Sequence, residues 1–215
     1  MARRAPVVTL VAGLMLLLSA CGGRSGDQGR PAQGAPPAQN PPSTAPKAQP
    51  GAVDPNAPEA NTPGDIPDDQ VFVGYQPPGA RFSVKVPEGW ARMSSGGAVV
   101  FTDKLNSIKL ETRPSPSQPT AASATSAELP GIRSASSNFQ GGDVTEVRRR
   151  GGTAVLIRYR ADAPADQVTG KVVRDDVERY EFWRGGSAAI LTLAGPVGAD
   201  NVDPWRIVTD SFRWR

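Results

Sequence analysis

The chain of 215 residues contains no histidine and a single cysteine, Cys21, and these two facts bound most of the chemistry open to it. A Ser-His-Asp or Cys-His nucleophile needs an imidazole to accept the proton, so both arrangements are excluded. Zinc, copper and iron sites are built mainly from imidazole and thiolate, so no metal and no other cofactor is expected. Serine and lysine stand two residues apart at Ser83/Lys85 and Ser107/Lys109. A strand would put each pair on one face, here the polar and solvated one rather than a catalytic cleft. Thr169-Gly170-Lys171 has the end of a phosphate loop, but Ala165 and Val172 stand where that loop requires glycine and a hydroxyl, and a turn into a strand is expected instead. Asp200-Asn201-Val202-Asp203 lacks the spacing, glycine and distant glutamate of a calcium loop and reads as helix capping.

Two charged groups remain. Asp175, Asp176, Glu178 and Glu181 are interleaved with Arg174, Arg179 and Arg184, a pattern expected to pair across strands on a wet face. Arg148-Arg149-Arg150 lies across a Gly-Gly turn from Arg158 and Arg160, which makes a basic patch. Tyr159, Tyr180 and Trp183 could supply stacking surfaces beside it. Nucleic acid is not the expected partner, because the chain reads as exported. Anionic wall polymer or lipid headgroups would suit the patch better, and charge protecting a strand edge is the plainest reading. The formal charge of +3 includes Arg3 and Arg4, which belong to a segment expected to be removed; the remainder is close to neutral, so net charge alone argues for no polyanion.

The export reading comes from the N-terminus. Met1-Ala-Arg-Arg4 is followed by an apolar or near-neutral run from Val7 to Leu18 and then by Leu18-Ser19-Ala20-Cys21-Gly22. The apolar run is too short for a membrane span, which needs about 20 residues. Leu18 to Cys21 resembles the lipobox of bacterial lipoproteins. That resemblance implies removal of residues 1–20 and attachment of diacylglycerol, with palmitate-type chains, to the Cys21 thiol, a strong nucleophile near neutral pH. Two acyl chains at about 0.8 kcal/mol per buried methylene hold firmly where one does not. Lipid-anchored placement on the outer face of the cell membrane is the expectation.

Residues 21–69 are expected to be a disordered tether. Between Gly22 and Pro67, eleven residues are proline and seven glycine, and Val53 and Ile66 are the only large aliphatic ones. Little apolar burial is available to offset chain entropy. Such a coil spans roughly 40 Å, enough to lift a domain off the membrane.

Residues 70–215 are expected to be one α+β domain. Phe82, Val84 and Val86 alternate with polar residues as in a strand, and Pro87-Glu88-Gly89 turns the chain before Trp90. A hairpin is expected over 98–102 and 107–112. The alanine-rich segment 120–129 reads as a helix ended by Pro130-Gly131, with 132–139 as a possible helical continuation. Strands are expected at 144–150 and 153–160, and at 171–184 and 187–194, each pair joined by Gly-Gly. The apolar phase slips within 171–184, which either a bulge near Glu178 or cover on both faces would explain. Asp203 is the expected N-cap of a last helix, with Pro204 at its first position and Trp205, Val208 and Phe212 at helical spacing.

Phe82-Ser-Val-Lys-Val-Pro-Glu-Gly-Trp90 resembles the F-x-x-x-x-P-x-G-W opening of PsbP-like domains, and Asp210-Ser-Phe-Arg-Trp214 resembles their S-F-x ending. The resemblance implies an antiparallel sheet sandwiched between helices, used for docking or assembly rather than catalysis. Together with the lipobox and tether, the chain is similar to actinobacterial cell-envelope lipoproteins. The expected function is a non-catalytic module for an envelope protein. A small-molecule or lipid carrier serving a transporter, and a cell-wall hydrolase working with carboxylates, are the alternatives.

Overall fold

Glycine pairs set the largest sheet of this protein. In the computed structural model, which describes residues 62–215 except Lys104 and Gln167, Gly185 and Gly186 have φ of 53° and 80°. Two consecutive positive φ values make the tight turn whose twist matches paired antiparallel strands. That turn joins β8 (Arg174–Arg184) to β9 (Ser187–Pro196). Arg150 and Gly151 make the turn between β6 (Ser137–Arg149) and β7 (Gly152–Asp162), and of the glycine pair there only Gly152, the first residue of β7, has a positive φ, 130°. With β3 (Ala91–Ser95), β4 (Ala98–Asp103) and β5 (Asn106–Pro114) they form a seven-stranded antiparallel sheet in the order β3-β4-β5-β9-β8-β7-β6. A second sheet orders β1 (Phe72–Tyr75), β2 (Phe82–Pro87) and β10 (Arg213–Trp214) as β1-β2-β10.

One face of the large sheet carries the main core. Leu156, Tyr180, Phe182, Leu191, Ile108 and Leu110 meet Phe82, Val84 and Val86 of β2, and Trp205, Val208 and Phe212 of the chain end. Trp205 and Val208 belong to α3 (Val202–Asp210), whose helical spacing turns one stripe inward. The opposite face buries Val155 and Ile157 against Ala124 and Leu129. These come from α1 (Ala121–Ser123), a π-helical turn (Ala124–Glu128) and α2 (Leu129–Ala135). The sheet is therefore sandwiched between helices, as expected.

Several local expectations differ. Pro130 does not end the helix. It sits in the first turn of α2 directly after the π turn, where the Leu129 N–H reaches back to the Ala124 carbonyl. A proline ring crowds the carbonyl four residues before it, and a widened turn relieves that crowding. The helix stops at Ala135, and Phe139 lies in β6, which is longer than expected and carries two register shifts before Asp143. No bulge interrupts β8; its pairing with β7 and β9 is continuous, and the phase slip reflects cover on both faces.

Asp203 lies within the first turn of α3, and Asn201 holds the N-cap position without a capping side-chain bond. The Asn201 side chain is instead the middle of a buried knot: its Oδ1 accepts from Ile66 N, and its Nδ2 donates to Asn106 Oδ1 and Gly64 O. Ile66 is only 4% exposed. The folded unit thus reaches back beyond Gln70, because two buried amides and one aliphatic side chain hold the preceding segment down. Cys21, the signal segment and residues 22–61 lie outside the described residues.

The Gly151-Gly152 turn also touches the core. A Cβ on Gly151 would stand 2.5 Å from the Phe212 carbonyl oxygen and 2.6 Å from its ring. Gly151→Ala is expected to destabilise the fold by about 1–3 kcal/mol, the usual range for overpacking. Gly74→Ala, where nothing lies within 4 Å, should stay within about 0.5 kcal/mol. Urea unfolding midpoints of the two variants check the contrast; equal midpoints would contradict it.

Candidate binding groove

The strand alternation sorts the sequence-predicted charges onto two faces. Asp176, Glu178 and Tyr180 share one face of β8, and β7 sets Arg158 opposite Glu178 and Arg160 opposite Asp176. Arg158 Nε donates to Glu178 Oε1 at 2.9 Å and Arg160 Nε to Asp176 Oδ1 at 2.6 Å. Arg174 pairs across the sheet with Asp162 at 2.9 Å. These three pairs are the cross-strand ion pairing expected.

Tyr180 is the pivot of the group. Its hydroxyl donates to Glu178 Oε2 at 2.7 Å and accepts from Arg149 Nη2 at 2.8 Å. The Arg149 guanidinium also lies 5.1 Å from the ring centroid and donates to Thr209 of α3. Burial first, then the neighbouring Glu178 carboxylate, pushes the Tyr180 hydroxyl up to about 12. It stays a neutral donor. Around this chain of bonds the sheet and α3 leave a groove of about 790 Å³, with Trp205, Val202 and Pro196 as its apolar part and Asp143 and Arg206 on its rim.

The expected aromatic platform does not form. Tyr159 lies on the other face, stacked on Phe139 at 5.2 Å, and Trp183 donates its indole N–H to Ser115 O. Only Tyr180 accompanies the arginines, and it is 1% exposed. Of the basic run, Arg149 is used by Tyr180, Arg150 faces Asp210 at 3.9 Å, and Arg148 is exposed. The Ser107/Lys109 pair is polar as expected, with Lys109 2.9 Å from Glu111. At Thr169-Gly170-Lys171 the Asp166 carboxylate accepts from Val168 and Thr169, closing a turn.

Glu181 and Arg179 depart from the wet-face expectation. The Glu181 side chain is fully buried on the helix-covered face, where Arg179 Nη2 lies 2.9 Å from Oε1 and Arg113 Nη2 lies 3.2 Å from Oε2. Arg113 also bonds Glu128 of the π turn, and Arg179 reaches Glu128 at 3.6 Å and Glu111 at 3.7 Å. Burial, reinforced by a hydrogen bond to Glu128, raises Glu181 to about 7. Burial pushes Glu128 up as well, but hydrogen bonds from Glu181 and Arg113 outweigh it and hold Glu128 below its ordinary value. Sequence reading missed this network; the one available signal was that Glu181 shares strand parity with Val177.

This sorting bears on carboxylate hydrolysis, which needs a protonated acid and a second carboxylate about 5–10 Å apart in a cleft. Asp143, Asp176 and Glu178 line the groove, but Asp176 and Glu178 accept from arginine. The carboxyls raised into the range of such an acid, Glu181 at about 7 and Asp175 at about 6 by burial, have the opposite strand parity and face away from it.

No family model matches this chain, and no curated protein matches it. Solved structures do. The cyanobacterial PsbP of Synechocystis sp. PCC 6803 is 16% identical, with 71% of this chain and 98% of that one covered at a TM-score of 0.49. The Ran-binding protein Mog1p of Saccharomyces cerevisiae is 9% identical over 67% and 96% at 0.45. LpqN of Mycobacterium tuberculosis, described as involved in cell envelope biogenesis, is 14% identical over 68% and 85% at 0.37. The chain spans about half, 48%, of a longer Bacteroides thetaiotaomicron structure that it also matches.

The buried glutamates set a pH dependence. A carboxyl raised in the fold favours folding in its protonated form, so the Glu181 contribution is complete below its ordinary 4.5 and is lost as pH rises through about 7. The Glu128 contribution has the opposite sign and is lost as pH falls below 4.5. Thermal unfolding should show a higher midpoint at pH 5 than at pH 8, and Glu181→Gln should flatten that difference. An unchanged slope in the variant would contradict the assignment.

Proposed function

We propose that this chain is a lipoprotein held by Cys21 on the outer face of the cell membrane, and that its domain is a non-catalytic binding module for an envelope protein. The observation that carries the binding reading is the mixed-charge groove beside α3. Its Arg158–Glu178 and Arg160–Asp176 pairs are partly exposed, with arginine side chains 54% and 53% accessible. Exposed pairs contribute only about 0–1 kcal/mol to the fold, so a partner's charges can exchange with them at little loss. The apolar strip of Trp205, Val202 and Pro196 gives such a partner surface to bury. Anchoring rests on the Leu18-Ser19-Ala20-Cys21 sequence. It fits a domain in which no helix among the described residues is long and apolar enough to cross a membrane.

A carrier is the second reading. The groove lies within the usual 300–1,000 Å³ of small-molecule clefts. It favours a polar ligand rather than a lipid, because the space between sheet and α3 is filled by stacked rings, with Phe182 and Phe212 4.0 Å apart.

A photo-crosslinking residue at Asp143 should capture one reproducible envelope protein, and Arg158→Glu with Arg160→Glu should cut that yield at least tenfold. The same probe at Met93, on the opposite edge strand, should not capture it. Equal capture from both positions would refute the groove, and a small mass retained in native mass spectrometry would favour the carrier. For the anchor, Cys21→Ser should move the protein from the membrane to the soluble fraction. A native Cys21 with a free thiol and no fatty mass would overturn that part.

A further inference from the structure

A second groove lies on the other side of α3, and its charge is one-sided. Residues 62–215 hold 19 Lys and Arg against 18 Asp and Glu, so the folded part as a whole is balanced. Yet Lys85, Arg150, Arg206, Arg213 and Arg215 converge on one groove of about 940 Å³, together with two acidic side chains, Asp203 and Asp210.

Strand alternation produces the concentration. Phe82, Val84 and Val86 of β2 enter the core, which turns Ser83 and Lys85 outward. β10 pairs Trp214 with Phe82 and Arg213 with Ser83, so Arg213 and Arg215 point to the same side as Lys85. No acidic side chain among the described residues forms an ion pair with any of these three. Asp210 is shared at long range between Arg150 at 3.9 Å and Arg206 at 3.7 Å.

The two terminal guanidiniums are also held in place. Arg213 Nη1 donates to the carbonyls of Asp210 at 2.9 Å and Phe212 at 2.6 Å, and Arg215 Nε donates to Ser83 Oγ at 2.9 Å. Their other N–H groups have no protein partner among the described residues. Fixed planar donors of this kind match the several oxygens of a phosphate, whereas a carboxylate occupies a single fork. Part of the ordering entropy that binding would cost is already met by these bonds.

We propose that the groove between α3 and the outer face of β2 and β10 binds a phosphate-bearing anion, held by Lys85, Arg213 and Arg215 with Arg150 and Arg206 on the opposite wall. The site opens on the other flank of α3 from the groove assigned to the envelope partner, shares only Arg206 with it, and does not depend on that assignment. The bound phosphate ester can come from membrane lipid headgroups or from a soluble phosphate-bearing molecule.

Calorimetry of the full chain with tripolyphosphate tests this. Binding should weaken steeply with added salt, and citrate should bind at least tenfold more weakly. Arg213→Gln with Arg215→Gln should lose at least tenfold in affinity, while Lys109→Gln, paired with Glu111 elsewhere, should change nothing. Should the double variant unfold, Lys85→Gln alone should still lose severalfold. Displacement of tripolyphosphate by phosphatidylglycerol vesicles but not by phosphatidylcholine vesicles would assign the source to headgroups, and no displacement by either would assign it to a soluble phosphate. Binding unaffected by these substitutions, or citrate binding as tight as tripolyphosphate, would overturn the proposal.

Discussion

The Phe212 ring holds the two sheets of this protein together. It stacks on Phe182 of the large sheet at 4.0 Å and on Phe82 of the small sheet at 5.4 Å, and meets the edge of Trp214 at 5.2 Å. Aromatic pairs of this geometry contribute about 0.5–1.5 kcal/mol each beyond the area they bury, and removing such a ring typically costs about 3–5 kcal/mol. Because Phe212 follows α3 directly and precedes β10, one buried side chain fixes both the helix and the strand. Gly151 is small for the same reason, since the turn between β6 and β7 passes against the Phe212 backbone.

From that constraint follows the placement of both grooves. α3 crosses the sheet with Trp205 and Val208 inward, and each of its flanks leaves an opening. On the β6–β8 flank the charges are matched, because antiparallel register sets arginine opposite carboxylate. On the β2–β10 flank they are unmatched, because the outer face of a short edge ladder gathers Lys85, Arg213 and Arg215, none of which forms an ion pair with an acidic side chain among the described residues. The same helix thus separates a charge-balanced groove from a cationic one.

The opposite face of the sheet follows a different logic. Burying Glu181 and Arg179 under a helix would be costly for either alone, and breaking one member of such a group leaves an uncompensated charge. The arrangement closes because Glu128 enters from the π turn while Arg113 enters from β5. Arg113 and Arg179 then lie among three carboxyl groups, those of Glu111, Glu128 and Glu181. The irregular helix around Pro130 is what brings Glu128 into reach.

Much of this was legible from residue order. The strand at Phe82–Val86, the Gly-Gly hairpins and the apolar stripe Trp205-Val208-Phe212 depend on periods of two and 3.6 residues and on glycine's tolerance of positive φ, all of which are local. So were the lipobox-like Leu18–Cys21 segment and the exclusion of imidazole chemistry, which needs only composition. What local pattern could not give was the partner of each polar group. Asn201 reads as a capping residue, yet tertiary packing spends its amide on Ile66, Gly64 and Asn106. Tyr159 and Tyr180 read as one platform, yet strand parity puts them on opposite faces. Glu181 reads as a surface acid until a helix 50 residues away in sequence covers it. Sequence determines which face a side chain takes, because alternation is built into the backbone; only the folded chain decides what lies across from that face, because burial and charge pairing are set by segments that meet through space.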